Sequence, residues 1–139
     1  MARELYVADT SVFARLSKPL VAAAFAPLAA EGKVAVCAPV AFELGFAARN
    51  PSDYTELTNR LLSFAWVPTA DGDHRRALQV QAMLAAQSRH RALSLVDALV
   101  AAAAEGRGLT VLHYDADFEL IAGLTGQSQT WIVPRGTVD

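Results

Sequence analysis

Short continuous apolar blocks alternate with longer segments of helical periodicity along this whole chain, and that alternation restricts the fold more than any other feature. Glu4 to Ala8, Lys33 to Ala38, Trp66-Val67-Pro68, Leu109 to Leu112 and Thr130 to Val133 read as strands by their apolar and β-branched content. Helical segments separate them. A short helix follows Asp9-Thr10-Ser11 to about Leu16, and a second runs from Pro19 towards Ala30 and ends at Gly32. Pro39 opens a third to Arg49. Ser52 is the expected cap of a fourth, in which Tyr54, Leu57, Leu61 and Phe64 recur at helical spacing. Further helices begin at Asp71 or Asp73, at Ser94, and at Asp115, the last reaching about Leu124 before Gly126. Strands joined through helices need crossover connections. The expected class is therefore α/β, a three-layer α/β/α arrangement around a parallel sheet of about four or five strands.

The chain has 139 residues, 53% of them hydrophobic, and a net charge of -2, which suits a single compact domain spanning 1-139. A domain of this size buries roughly two-thirds of its unfolded surface without disulfides. Cys37, the only cysteine, lies in the apolar run Val34 to Ala38 and reads as a buried strand residue in a reducing compartment. No secretory signal precedes the first strand, and the alanine-rich apolar stretches fall far below spanning length. A soluble, cytoplasmic protein with no membrane partner is expected. The mildly acidic balance argues against a broad basic surface, though not against a local basic rim.

Acidic residues interrupt the apolar pattern at places where a strand or buried helix has no use for charge. Asp9 and Asp115 fall just past predicted strands, Glu43 one turn into the helix after the second strand, and Asp97 in the first turn of the helix that leads into the fourth. Ligands of an open parallel sheet bind beyond the carboxyl ends of its strands, so all four acids can reach one edge. Each also has a plain structural reading. Asp9 suits an Asx turn, with Ser11 two positions on as a second oxygen. Ser94-Leu95-Val96-Asp97 matches a capping box. Asp115 and Asp117 suit a helix N-terminus, and because acids two apart do not share a helix face, one of them is expected to be a direct ligand and the other an accessory. Glu43 is the hardest to explain structurally, being the only charge between Lys33 and Arg49 with Phe42, Leu44 and Phe46 around it. Glu119 is expected to face solvent.

Oxygen ligands from converging carboxylates suit a hard divalent cation, which supports phosphodiester hydrolysis. His74, His90 and His113 lack zinc-ligand spacing and read as surface or packing residues. Arg89-His90-Arg91 is either a solvated loop or a phosphate contact. Trp66 and Trp131 read as strand or core residues. A phosphoacceptor of receiver type also places acids beside a parallel sheet, but it needs a lysine at the site, and no lysine follows Lys33.

Taken in order, Ala8-Asp9-Thr10-Ser11, Glu43 in an apolar helix, Asp97-Ala98-Leu99, and His113-Tyr114-Asp115-Ala116-Asp117-Phe118 resemble the PIN-domain ribonucleases. Within them the chain resembles the VapC toxins of bacterial toxin–antitoxin modules, most specifically through Ile121-Ala122, Thr125-Gly126-Gln127, Trp131 and Pro134-Arg135-Gly136. The resemblance implies an endoribonuclease that hydrolyses RNA phosphodiester bonds with Mg²⁺, or Mn²⁺ in its place. It also implies a homodimer and a cognate VapB-like antitoxin that blocks the site. By matching position it implies Asp9, Glu43, Asp97 and Asp115 as the catalytic quartet, with Asp9, Asp97, Asp115 and Asp117 around the metal and Ser11 as an accessory hydroxyl. A PIN scaffold that binds RNA or protein without cutting, and a housekeeping PIN nuclease, are the alternatives.

Overall fold

The computed structural model describes residues 4–139. Five parallel strands form one sheet in the order β3-β2-β1-β4-β5. In chain order the elements are β1 (Tyr6–Ala8), α1 (Thr10–Phe13), α2 (Pro19–Ala30), β2 (Val34–Cys37), α3 (Ala38–Phe46), α4 (Pro51–Leu61), β3 (Ala65–Val67), α5 (Asp71–Ala85), α6 (Leu95–Glu105), β4 (Thr110–His113), α7 (Asp117–Thr125) and β5 (Gln129–Trp131). The chain builds outward from β1 through β2 to β3, then returns to place β4 on the other side of β1. The strand order therefore reverses between β1 and β4, where a doubly wound sheet opens a crevice for ligand.

Successive strand residues face opposite sides of the sheet, so β1 and β4 divide the interior in two. Val7 and Val111 enter an apolar cluster with Val40, Leu61, Val100, Phe118 and Ile121 of α3, α4, α6 and α7. Ala8 and Leu112 enter a second cluster with Val12, Val21, Phe25, Ile132 and Val133. Helices thus cover both faces, as the alternation of elements predicts. α6 is apolar almost all round: Leu99 through Ala104 are buried in sequence, which makes it an interior helix rather than a half-exposed one. Arg107 reaches Asp73 at 3.2 Å and Arg76 reaches Glu105 at 2.6 Å, holding α5 against it.

Several boundaries differ from the sequence expectation for local reasons. Asn50, not Ser52, caps α4: its Oδ1 accepts the Asp53 amide at 2.8 Å, and Pro51, with φ already helical, takes the first helical position. The third strand ends at Val67 because Pro68 has no amide to give to a ladder. The fourth strand extends one residue further than expected, to His113, and the last is displaced to Gln129–Trp131 by its register with Val111 to His113. Cys37 is a buried strand residue as expected, and burial pushes its thiol up to about 11. Among the described residues, no helix is long and apolar enough to cross a membrane.

Candidate metal centre

Asp9 stands at the end of β1, where its own amide still donates to Leu112 O at 2.9 Å and so keeps the residue in the sheet. Its side chain turns back to cap α1, Oδ2 accepting the Ser11 amide at 3.0 Å. That is the Asx-type turn read from sequence, and it accounts for only one oxygen. Oδ1 is buried and has no hydrogen-bond partner among the described residues. Desolvation raises the carboxyl pKa above the usual range, the Ser11 and Thr10 contacts oppose it, and the charge of Asp115 adds to the rise.

Asp97 lies in the first turn of α6. Ser94 Oγ accepts its amide at 3.1 Å, the first half of the capping box. The reciprocal bond, from the Ser94 amide to the Asp97 carboxylate, is not formed among the described residues, so the side chain is free of the structural task that competed for it. Instead it meets Asp115 and Asp117, and each of these three offers a carboxylate oxygen within 4.8 Å of the others. Burial, then the charge of Asp9, then Asp117 and Asp115 push the Asp97 carboxyl up to about 8. Close carboxylate pairs repel by about 4 kcal/mol at 4 Å and an effective dielectric of 20. Carboxylates on their own relieve such crowding by retaining a proton; a divalent cation relieves it without one.

Asp115 precedes α7 rather than lying on it, and its Oδ1 accepts the Asp117 amide at 2.9 Å. The expectation that the two acids diverge, with one as ligand and one as accessory, assumed a shared helix. Because Asp115 sits in the turn, both can aim at Asp97. Ser11 also joins two turns: its hydroxyl oxygen accepts the Tyr114 amide at 2.9 Å, linking the turn after β1 to the turn after β4, while its hydroxyl and amide both lower the Asp9 pKa.

Glu43 is half-buried on α3, outside the three-carboxylate group, and makes no ion pair or hydrogen bond with the described residues. Of the apolar neighbours read from sequence, Phe42 and Phe46 are 79% and 87% exposed, while Leu44 packs against the interior. Glu119 is exposed, as expected, and there it accepts Trp131 Nε1 at 2.7 Å and lies 3.9 Å from Arg135. His113 is fully buried. Its Nδ1 accepts the Asp115 amide at 3.1 Å and its Nε2 meets Gln129 Oε1, while desolvation holds its pKa below the usual value. The sequence carried no sign of this link beyond the position of a histidine two residues before an acid.

A family model for the PIN domain matches residues 6–124, which include Asp9, Glu43, Asp97, Asp115 and Asp117. The chain belongs to the PIN-domain family. It is 48% identical over 134 residues to Ribonuclease VapC51 of Mycobacterium tuberculosis, covering 96% of this chain and 97% of that one. The toxin–antitoxin structure VapBC-5 of the same organism matches this PIN domain with a TM-score of 0.58 at 27% identity, over 94% of this chain and 98% of that chain. VapBC2 of Rickettsia felis, solved with a promoter DNA fragment, shares the fold with a TM-score of 0.76 at 13% identity, over 91% and 98%. Membership of the VapC ribonucleases implies dependence on a divalent metal. The donors fit one: they are carboxylate oxygens, which suit hard cations, and the buried, unpartnered Asp9 Oδ1 lacks a positive partner that an ion would supply. Zinc is disfavoured, because the nearby His113 commits both ring nitrogens to Asp115 and Gln129.

Proposed function

We propose that this chain is the toxin of a toxin–antitoxin pair, a Mg²⁺-dependent endoribonuclease that cleaves RNA phosphodiester bonds hydrolytically. The observation that carries the reading is the meeting of Asp97, Asp115 and Asp117 at the strand-reversal edge, beside a buried Asp9 with an unpartnered oxygen. Asp9, Asp97, Asp115 and Asp117 would hold Mg²⁺, or Mn²⁺ in its place, and Glu43 would face the same edge from α3 as the fourth member of the catalytic quartet. When bound, the cation supplies Lewis acidity that activates water and offsets charge on the scissile phosphate. The chain supplies the rest. Asp97 would hold the cation as a carboxylate, Ser11 fixes Asp9 and the Tyr114 turn together, and the apolar clusters hold both loops on rigid strands.

Basic residues near the rim would contact the RNA backbone. Arg89 and Arg91 are exposed and form no ion pair with the described residues, which supports that role. Arg15 and Arg49 are committed within the chain: Arg15 bonds Ser11 O at 3.0 Å and stacks 4.9 Å from the Tyr114 ring centroid, and Arg49 bonds Asp53 at 2.8 Å. An antitoxin and a second copy of the chain both need apolar area, and two exposed faces offer it. One groove of about 380 Å³ is lined by Phe42, Tyr54, Leu62 and Trp66, and another of about 380 Å³ by Leu78, Leu93, Leu95 and Leu99. A toxin that acts on RNA would work in the cytoplasm.

Purified protein freed of antitoxin, incubated with total RNA with and without Mg²⁺, tests the proposal. Metal-dependent fragments with 5′-phosphates support it. Binding without cleavage at any metal concentration would instead favour a scaffold that holds RNA.

A further inference from the structure

We propose that His113 is a positioning residue for the metal centre, held in one tautomer by Gln129 so that it fixes the main chain from which Asp115 and Asp117 project. This rests on the reading of the acids as cation ligands. His113 is the last residue of β4, pairs in register with Trp131 of β5, and passes its carbonyl to the Ile132 amide at 2.8 Å, so its backbone is anchored in the sheet. The ring lies 4.9 Å from both the Phe118 and Trp131 ring centroids, which leaves it little freedom to turn.

Within that slot the two nitrogens do different work. Nδ1 accepts the Asp115 amide at 3.1 Å and therefore carries a lone pair, not a proton. With Nδ1 accepting, the neutral ring carries its proton on Nε2, which faces Gln129 Oε1 as its acceptor. The neighbouring strand thus supplies the acceptor that suits the tautomer able to hold Asp115. The contact of a side chain with the amide two residues on is the geometry by which Asx residues order turns. Here it is used twice in succession: His113 holds the Asp115 amide, and Asp115 Oδ1 holds the Asp117 amide at 2.9 Å. The first step sets where Asp115 points; the second sets Asp117. One oxygen of Asp115 is spent on the turn, which leaves the other for an ion. Partners that orient ligands in this way typically change metal affinity by about 10–100-fold when removed.

The test compares Mn²⁺ affinity, by calorimetry on the full chain, for the parent and for His113→Phe, His113→Asn and Gln129→Met. Phe keeps the aromatic packing but offers no acceptor, and is expected to weaken Mn²⁺ binding by about tenfold or more. Asn restores an acceptor two residues before Asp115 and is expected to recover most of the affinity. Gln129→Met frees the tautomer and is expected to weaken binding without loss of fold. Nitrogen-15 spectra of the parent ring should show Nδ1 unprotonated and Nε2 protonated. If all folded variants bind Mn²⁺ as the parent does, or if Nδ1 carries the proton, the inference is overturned and the ring is only packing. Should His113→Phe fail to fold, Gln129→Met decides: parent-like affinity overturns the inference, weaker affinity supports it. A parent chain that takes up no Mn²⁺ at all would sink the metal reading itself, a distinguishable result.

Discussion

Ser11 Oγ and the Tyr114 amide meet at 2.9 Å across 103 positions of sequence, and this one bond joins the two turns that carry Asp9 and Asp115. Each turn follows a different strand, β1 and β4, that pair directly in the sheet. The ladder aligns the strands; the hydroxyl aligns what lies beyond them. Replacing Ser11 by Ala leaves the Tyr114 amide without its partner, at a cost of about 1–3 kcal/mol. The expected result is a lower urea midpoint together with reduced cleavage, and an unchanged midpoint would show that the bond is dispensable.

Asp97→Asn removes an ionisable carboxyl from the crowded group at nearly constant shape. Cleavage should fall below detection, since the ligand set loses its most strongly perturbed member. Thermal stability of the metal-free protein should rise at neutral pH, because Asn needs no proton to avoid the burial cost and the repulsion that Asp9, Asp117 and Asp115 impose on the Asp97 carboxylate. Full nuclease activity in the purified variant would remove the mechanism, and so would full activity in Asp9→Asn.

The metal-free protein should lose stability as pH rises. Asp97 has its carboxyl pushed up to about 8 in the fold against 3.8 for the free group, so between those values the native state binds more protons than the unfolded one. Stability therefore falls with increasing pH across that window and levels off above about 8. Saturating Mg²⁺ should flatten the dependence by neutralising the site. Denaturation midpoints from about pH 4.5 to about pH 8.5, with Mg²⁺ and with chelator, check both statements; a metal-free midpoint that rises with pH would contradict the first.

Charge reversal at the exposed Arg89 and Arg91 should act on RNA encounter and not on chemistry. The double variant Arg89→Glu/Arg91→Glu is expected to raise KM several-fold with kcat nearly kept. It should also make the salt dependence of binding shallower, by about one unit of slope for each phosphate the variant fails to neutralise. Equal KM and equal salt slope would place the RNA on another surface.

The Asn50 cap offers a test away from the site. Asn50→Ala should cost about 1 kcal/mol by leaving the Asp53 amide unpaired, whereas Ser52→Ala should cost little, because Ser52 makes no capping bond. Chemical denaturation of both variants separates the two.

Much of the architecture was legible because it depends on local pattern. Apolar blocks separated by helical periodicity predicted a parallel sheet covered on both faces, and Asp9, Asp97 and Asp115 stood out as charges at strand and helix ends. Periodicity reports on neighbours a few residues away, and these features need no more than that. The surroundings of Glu43 were less legible for the same reason: Phe42 and Phe46 look like a core in sequence, yet both are exposed on α3.

What the tertiary structure decided are contacts between segments that pattern cannot connect. Strand order placed β4 beside β1 and so brought Asp9 within electrostatic reach of Asp97 and Asp115. The turn before α7, not the helix, lets Asp115 and Asp117 converge on Asp97. The pairing of β4 with β5 set Gln129 against the His113 ring and gave a buried histidine its orientation. Chain composition and spacing supplied the acids, the strands and the helices. Only the folding of separate strands into one register could aim those acids at a common point, because side-chain direction at a strand end is fixed by the neighbouring strand and the turn that follows.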